Sequence, residues 1–477
     1  MYLRIYIPSL SSLTPLPIRI IAMDKRNPFN WSSPLYGLLF SLLPSFFSSP
    51  DTYSRKTTPT TYLNGLRGIA ALAVLNQHHL ARWYPEVLHG WQSRPESDLY
   101  IQMPLLRIIY AGHFMVKIFF ILSGYVLSYG PLKLIRKKDY YQLHHSLASG
   151  TFRRGLRLYL PTVVPFIIAT WLSYMDAYSY GKALKPTSVP NIQPTLWLAY
   201  RQMCTVVVKM LNPFQNKEFY PRPMLAHLWT LPVEFRGSMT VFILLLTLGK
   251  VTVRCRIILI SGFALFCIMV LRWETFLFAV GIILAELGLI RESESCRPAS
   301  LDGISPCTTK ALRFRYRKGA FWIVIFVFAI HLGCWPNLGT GSTPGYVMLQ
   351  TLTPEWYNAE GPKYVQIFWN TIGAVLLLLA LENCEILRKP FMTNFALWLG
   401  DVSFSLYIVH WTLVFTLGQN VTVMFINVTG HFDVGFFLGA VVLYGVVFWV
   451  SDVYTRVGDN RCVEYARLIK DKCFDSS

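Results

Sequence analysis

Ten long apolar runs dominate the chain, at about 64–82, 105–130, 157–176, 227–249, 256–272, 274–290, 319–335, 364–382, 394–417 and 433–453. Each approaches the ~20 residues that a helix needs to cross a hydrocarbon core about 30 Å thick. Two further stretches, 33–48 and 195–211, are apolar but short or flanked by proline, and read as interfacial or re-entrant helices. In lipid a spanning segment must satisfy its own backbone, so runs of this length predict helices. The expected fold is all-α: a polytopic bundle of about ten membrane helices. It divides into an N-terminal cytosolic or interfacial segment (1–59), a membrane domain (60–455) and a basic cytosolic tail (456–477). No internal repeat of the kind that marks many transporters is visible.

Composition agrees with lipid as the solvent. Hydrophobic residues make up 53% of the 477 positions and charged residues only 14%, and the mean hydropathy is +0.40. A soluble domain carries about 25% charge. The nine cysteines are scattered without a Cys-x-x-Cys pair, so no metal site is expected. Residues 1–22 hold apolar stretches broken by Pro8, Pro15 and Pro17 and make a poor signal peptide. Met23, followed by Asp24, Lys25 and Arg26, is an alternative start, and the segment stays unassigned.

The net charge of +19 would suggest nucleic acid in a soluble protein. Here the basic residues fall in short stretches between apolar runs, which is the pattern of cytosolic loops. Lys133, Arg136, Lys137, Lys138, Arg153, Arg154 and Arg157 face a single Asp139 in the stretch 131–157. Arg313, Arg315, Arg317, Lys318, Lys250, Arg254, Arg256, Arg388 and Lys389 fall on the same side of a ten-span threading. That side is read as cytosolic, with both termini on it. The partners are then the bilayer and an anionic small molecule, not nucleic acid. The glycosylation sequons at Asn420 and Asn427 fall in the lumenal loop between spans nine and ten, while Asn30 falls on the cytosolic side. The location implied is multi-pass in the endoplasmic reticulum or the plasma membrane.

Ionisable groups are expensive in a bilayer, so each one is a functional candidate. Arg67 and His78 are eleven residues apart, hence within ~20° on one helix face and ~16 Å apart along the axis. His79 points ~100° away, which favours His78. The competing account has Arg67 reaching for the headgroups and His78 bonding between helices. His113 and Lys117 are one turn apart on the second span, and Lys117 also suits neutralisation of a buried carboxylate. Arg153, Arg154 and Arg157 open the third span, where they serve as topology markers or as planar donors for arriving phosphates. Glu234 lies about two turns into the fourth span and needs a cationic or imidazole partner. Ser403 and His410 are seven residues apart on one face of the ninth.

Helical rise puts His78 ~21 Å and His410 ~21–24 Å from the cytosolic edge, and Glu234 and His113 ~11–12 Å below the lumenal edge. Two layers result, arginines near the cytosol and acid/base groups in the lumenal half. That suits a tunnel for an extended molecule with an anionic head and a reactive far end, as acyl-CoA is.

The motifs together resemble acyltransferase family 3, membrane proteins that O-acylate hydroxyls with acyl-CoA. The matches are Leu66-Arg67-Gly68 with His78, Phe119-Phe120-x-x-Ser123-Gly124-Tyr125 and Arg153-Arg154-x-x-Arg157-x-x-x-Pro161. Trp229-x-Leu231-x-Val233-Glu234 and Gly400-x-x-Ser403-Phe404-Ser405-x-Tyr407-x-x-His410 complete the set, in family order over roughly residues 60 to 455. The resemblance implies a ten-helix bundle and an essential Arg67/His78 pair. Lys117 departs from it, standing where the family often has an acidic residue. No soluble transferase domain follows the last span, which points away from the members that modify polysaccharides in two stages.

The expected chemistry is direct transfer of an acetyl or other short acyl group to a small hydroxylated acceptor of secondary metabolism. His78, oriented by Glu234, acts as general base, and His410 or Ser403 positions the acceptor or stabilises the oxyanion. Arg67, Arg153, Arg154 and Arg157 hold the acyl-CoA phosphates, with His113, Lys117 and Ser403 toward the substrate. The same residues also fit a transporter with a His/Glu proton relay, or a silent binding subunit.

Overall fold

Each of the ten apolar runs coincides with a helix in the computed structural model, which describes residues 45, 58–94, 98–178, 195–212, 223–295 and 309–474. In chain order the main helices are α1 (Thr61–Trp83), α2 (Gly112–Lys137), α3 (Tyr140–Tyr159), α4 (Val163–Tyr174) and α5 (Leu196–Leu211). They continue with α6 (Thr230–Thr247), α7 (Val253–Met269), α8 (Trp273–Ser295), α9 (Thr309–Gly333) and α10 (Pro362–Asn383). The last four are α11 (Asn394–Leu413), α12 (Gln419–Thr429), α13 (Phe432–Tyr454) and α14 (Asn460–Cys473). No strand occurs among the described residues, only an isolated bridge between His89 and Leu338.

Among the described residues, seven helical stretches are long and apolar enough to cross a membrane. Helix α1 has 23 residues, a length of ~34 Å, but its asparagines, Gln77, histidines and arginines dilute its hydropathy below that of the others. Helices α7 and α9 also fall outside the seven. Four boundaries differ from the sequence reading. Before α2, residues 106–110 form a 3₁₀ turn, so the helix begins at Gly112. The run 157–176 is the second half of a 35-residue path, Tyr140–Tyr174, broken by a 3₁₀ turn at Leu160–Thr162, where Pro161 removes a backbone donor. Past α11 the chain does not loop but winds through a π-helical turn, Val414–Gly418, into α12. The tail likewise continues from α13 through a second π-helical turn, Thr455–Asp459, into α14, which packs on α3. Most of the N-terminal segment, with Asn30 and the stretch 33–48 apart from Ser45, lies outside the described residues.

Glycines set the closest helix approaches. A Cβ on Gly68 of α1 would stand 2.3 Å from the backbone nitrogen of Gly400 on α11, and one on Gly124 of α2 would stand 2.4 Å from the Phe278 carbonyl of α8. Lipid tails are as apolar as side chains, so membrane helices associate by such close packing rather than by hydrophobic exclusion. Two carboxylates staple the basic end. Glu286 binds Arg136 at 2.7 Å and Arg256 at 3.1 Å, and Glu382 pairs with Arg291 while accepting from the Tyr62 hydroxyl at 2.6 Å. Paired in this way, neither charge pays the full cost of burial.

Candidate functional site

The crossing of α1 and α11 brings the chemistry-bearing residues together. Arg67 donates through Nη2 to the Asn64 side chain at 2.8 Å and to the Gly400 carbonyl at 2.7 Å. Asn64 in turn donates to Asp401 at 3.0 Å. Asn64, Arg67 and Asp401 border a cavity of about 640 Å³ whose wall also includes Ser123, Arg154, Arg157, Glu234, Ser403 and Tyr407. Asp459 and Asn460, from the turn before α14 and its first residue, close the same wall. The predicted tail is therefore part of the site.

The three arginines predicted together on the third span have different surroundings. Arg154 forms an ion pair with Glu234 and donates through Nε to Ser238 at 2.7 Å. Glu234 also accepts from Ser123 at 2.5 Å. Arg153 donates to the Ser149 carbonyl one turn back in its own helix, at 3.2 Å. Arg157 lines the cavity, is exposed, and makes no hydrogen bond or ion pair among the described residues, with the Asp459 carboxylate of the same wall near enough to feel its charge. An anion arriving in the cavity would find the Arg157 guanidinium free to donate.

Glu234 does not join a histidine. It stands seven residues after His227, about 10 Å further along the helix axis, and reaches the arginine layer instead. The expected acid/base layer is instead built by imidazoles. The rings of His78 and His410 stack at 5.4 Å, and His227 meets His410 at 4.9 Å. Trp411 is shared, edge-on to His78 at 4.7 Å and stacked on His227 at 5.5 Å. His79 turns away, as the helical angle predicts, and stacks on Phe436 of α13 at 5.0 Å.

Backbone carbonyls fix two of the three neutral tautomers. His410 Nδ1 is 3.1 Å from the Leu406 carbonyl, which can only accept, so Nδ1 carries the hydrogen. His227 Nε2 is 3.2 Å from the Ile408 carbonyl and carries the hydrogen by the same logic. The opposite nitrogens, His410 Nε2 and His227 Nδ1, are buried lone pairs without a hydrogen-bond partner. His78 makes no hydrogen bond among the described residues and is partly exposed.

Tyr407 separates the two layers. Its hydroxyl donates to the His227 carbonyl and accepts from Thr230, 2.7 Å away, while its ring meets Phe119 edge-on at 6.2 Å. Tyr407 and Thr230 line the cavity, and the histidines lie on the far side of that tyrosine.

The remaining predicted residues divide between site and scaffold. Ser403 borders the cavity and donates to the Gly400 carbonyl at 2.7 Å. His113 starts α2, where its backbone N–H donates to Gln77 at 3.1 Å, and its side chain borders a separate small pocket with Arg107 and Asn370. Lys117 is buried over the face of Trp273 at 4.8 Å, outside the cavity wall. Asn420 and Asn427 are exposed, but on helix α12 rather than in a loop, with Thr422 of the first sequon buried against Gly439 of α13. His227 and Tyr407 were not among the predicted residues, although spacing carried a signal for both. His227 is two turns from Glu234 on one face, and Tyr407 is one turn from His410.

Residues 60–456 match the family model described as an acyltransferase domain. The O-acetyltransferase PaAT-1 of Phomopsis amygdali is 29% identical over 94% of this chain and 90% of its own length. Acyltransferase R4 of a Phoma species is 24% identical over 86% of this chain and 96% of its own. Acyltransferase MdmB of Streptomyces mycarofaciens is 24% identical over 74% and 78%. No solved structure matches the chain.

Proposed function

The chain belongs to acyltransferase family 3, and from that premise we propose that it moves a short acyl group from acyl-CoA to the hydroxyl of a small acceptor within the membrane. The observation that carries this reading is the cavity itself, which has Arg67 and Arg157 on its wall and a cluster of imidazoles behind Tyr407. The arginines suit the phosphates of the donor. A pantetheine arm has the reach to carry its thioester from there toward the histidines.

In this mechanism His78 takes the proton of the acceptor hydroxyl as its oxygen bonds to the thioester carbonyl carbon. The tetrahedral intermediate then collapses, the C–S bond breaks, and the thiolate leaves as CoA thiol with the proton returned by the imidazolium. His410 supports the acceptor beside His78. Glu234 serves by holding Arg154 and Ser123 in the cavity wall, and Ser403 borders the acyl path. An acetyl or other short acyl group fits the name carried by the Phomopsis relative.

The topology that goes with this reading adds α1, α7 and α9 to the seven apolar stretches, giving ten spans. The arginine end and both termini face the cytosol, where acyl-CoA is made, in an endomembrane or the plasma membrane. The test is to supply membranes containing the protein, and matched membranes lacking it, with isotopically labelled acetyl-CoA and a pool of hydroxylated small molecules. Label appearing as an ester on one alcohol, with CoA thiol released in equal amount, supports the reading. Alcohol flux without acetyl-CoA consumption would instead favour a transporter.

A further inference from the structure

Three imidazoles meet at the far side of Tyr407, and the reaction as proposed uses His78 as base with His410 beside it. His227 is left over. It comes from the 3₁₀ turn Pro223–Trp229 that leads into α6, and its side chain is only 3% exposed. One nitrogen is accounted for, because Nε2–H donates to the Ile408 carbonyl at 3.2 Å and ties the turn to α11. The other is not. Nδ1 is buried without a partner, although a lone pair in an apolar setting costs free energy until a donor meets it.

The orphaned nitrogen is not isolated. Its ring lies 4.9 Å from His410, whose own Nε2 is a second buried lone pair without a partner, and His410 stacks on His78. Trp411 covers the group with a face toward His227 and an edge toward His78. Two acceptor nitrogens without donors, beside the partly exposed His78 and next to Trp411, suit a guest that brings O–H or N–H groups of its own.

We propose that His227 is an acceptor-binding residue, its Nδ1 lone pair receiving a hydrogen bond from a hydroxyl of the acyl acceptor. The inference rests on the acyl-transfer reading and adds a substrate class to it. With His227 Nδ1 demanding a donor of its own, the acceptor brings a second hydroxyl besides the one that His78 deprotonates, as a diol does. The hydroxyl held by His227 keeps its proton, and the one beside His78 loses its proton as it attacks the thioester.

Two substitutions separate binding from scaffolding. His227→Gln keeps an N–H donor at the reach of Nε2 but loses the acceptor at Nδ1. His227→Asn does the reverse, keeping a polar acceptor near Nδ1 and losing the tie to Ile408. CoA thiol release is followed in membranes with acetyl-CoA and, as probes, trans-1,2-cyclohexanediol, cyclohexanol and glycerol.

The expected result is a fall in kcat/KM for cyclohexanediol of about tenfold in His227→Gln, with the KM for acetyl-CoA unchanged and His227→Asn less impaired. Wild type is expected to prefer the diol to cyclohexanol, and His227→Gln to lose that preference. A near-normal His227→Gln with a crippled His227→Asn assigns His227 to scaffolding and overturns the proposal, as does wild-type indifference between diol and mono-alcohol. No thiol release by wild type with any probe overturns the proposal and the acyl-transfer reading together, whereas active transfer with an unaffected His227→Gln removes only the former.

Discussion

Gly68 of α1 and Gly400 of α11 touch backbone to backbone, a Cβ on the first falling 2.3 Å from the nitrogen of the second. This contact sets the distance between the helix that carries Arg67 and His78 and the helix that carries Ser403, Tyr407 and His410. It also lets Arg67 reach the Gly400 carbonyl at 2.7 Å. Site and fold therefore share one crossing point.

Gly68→Val is expected to destabilise the protein by about 1–3 kcal/mol, the usual cost of forcing atoms into a filled contact. The backbone of α11 cannot retreat as a side chain would. Thermal unfolding of the detergent-purified protein checks this, and Gly130→Val on α2, where a Cβ would meet nothing within 4 Å, serves as control.

Removing one partner of the Glu234–Arg154 pair leaves the other charge mostly buried. Glu234→Gln is expected to cost about 3 kcal/mol of stability and to lower activity through the displaced Arg154 and Ser123. The double variant Glu234→Gln/Arg154→Gln should recover part of the stability. A measured melting temperature for each single variant and the pair closes the cycle.

Arg157 and Arg153 are four residues apart but differ in commitment. Arg157→Gln should raise the KM for acetyl-CoA by roughly ten- to a hundredfold, the value of a charge-assisted hydrogen bond. Arg153→Gln, bonded to the Ser149 carbonyl of its own helix, should change it little. Steady-state kinetics at two salt concentrations check both, since screening weakens the Arg157 contribution.

The path Asn394–Thr429 is 36 residues long, or ~54 Å of helix against a core of about 30 Å. With its start at the basic end, α12 emerges beyond the opposite face. Asn420 and Asn427 are then expected to be glycosylated in a eukaryotic host, and Asn420→Gln with Asn427→Gln should abolish a mobility shift on endoglycosidase treatment. An unshifted wild-type protein would argue against the topology.

The spanning helices were legible because an apolar run of about 20 residues has few stable alternatives in lipid. Helical angle was equally readable: His78 and His79 diverge as 100° per residue requires. Depth was not. Counting from a span end at 227 puts Glu234 level with the histidines. The chain instead enters α6 through the 3₁₀ turn Pro223–Trp229, which puts His227 in the imidazole layer and Glu234 beside Arg154. Nor does composition signal the π-helical turns at 414–418 and 455–459, which carry α11 and α13 on into further helices. Lys117 carried a charge without a motif to explain it, and its cation–π contact with Trp273 depends on a neighbour 156 positions away in sequence.

Acyl transfer by this route needs His78 as the base, and the rate of transfer from acetyl-CoA by purified His78→Ala against wild type tests that role. Both proteins must first show the same size-exclusion profile and melting temperature. The prediction is a loss of about 10²–10⁴-fold in kcat, the usual contribution of a positioned general base, with the KM for acetyl-CoA little changed. A folded His78→Ala that turns over at near the wild-type rate would contradict the assignment and move the base to His410 or His227.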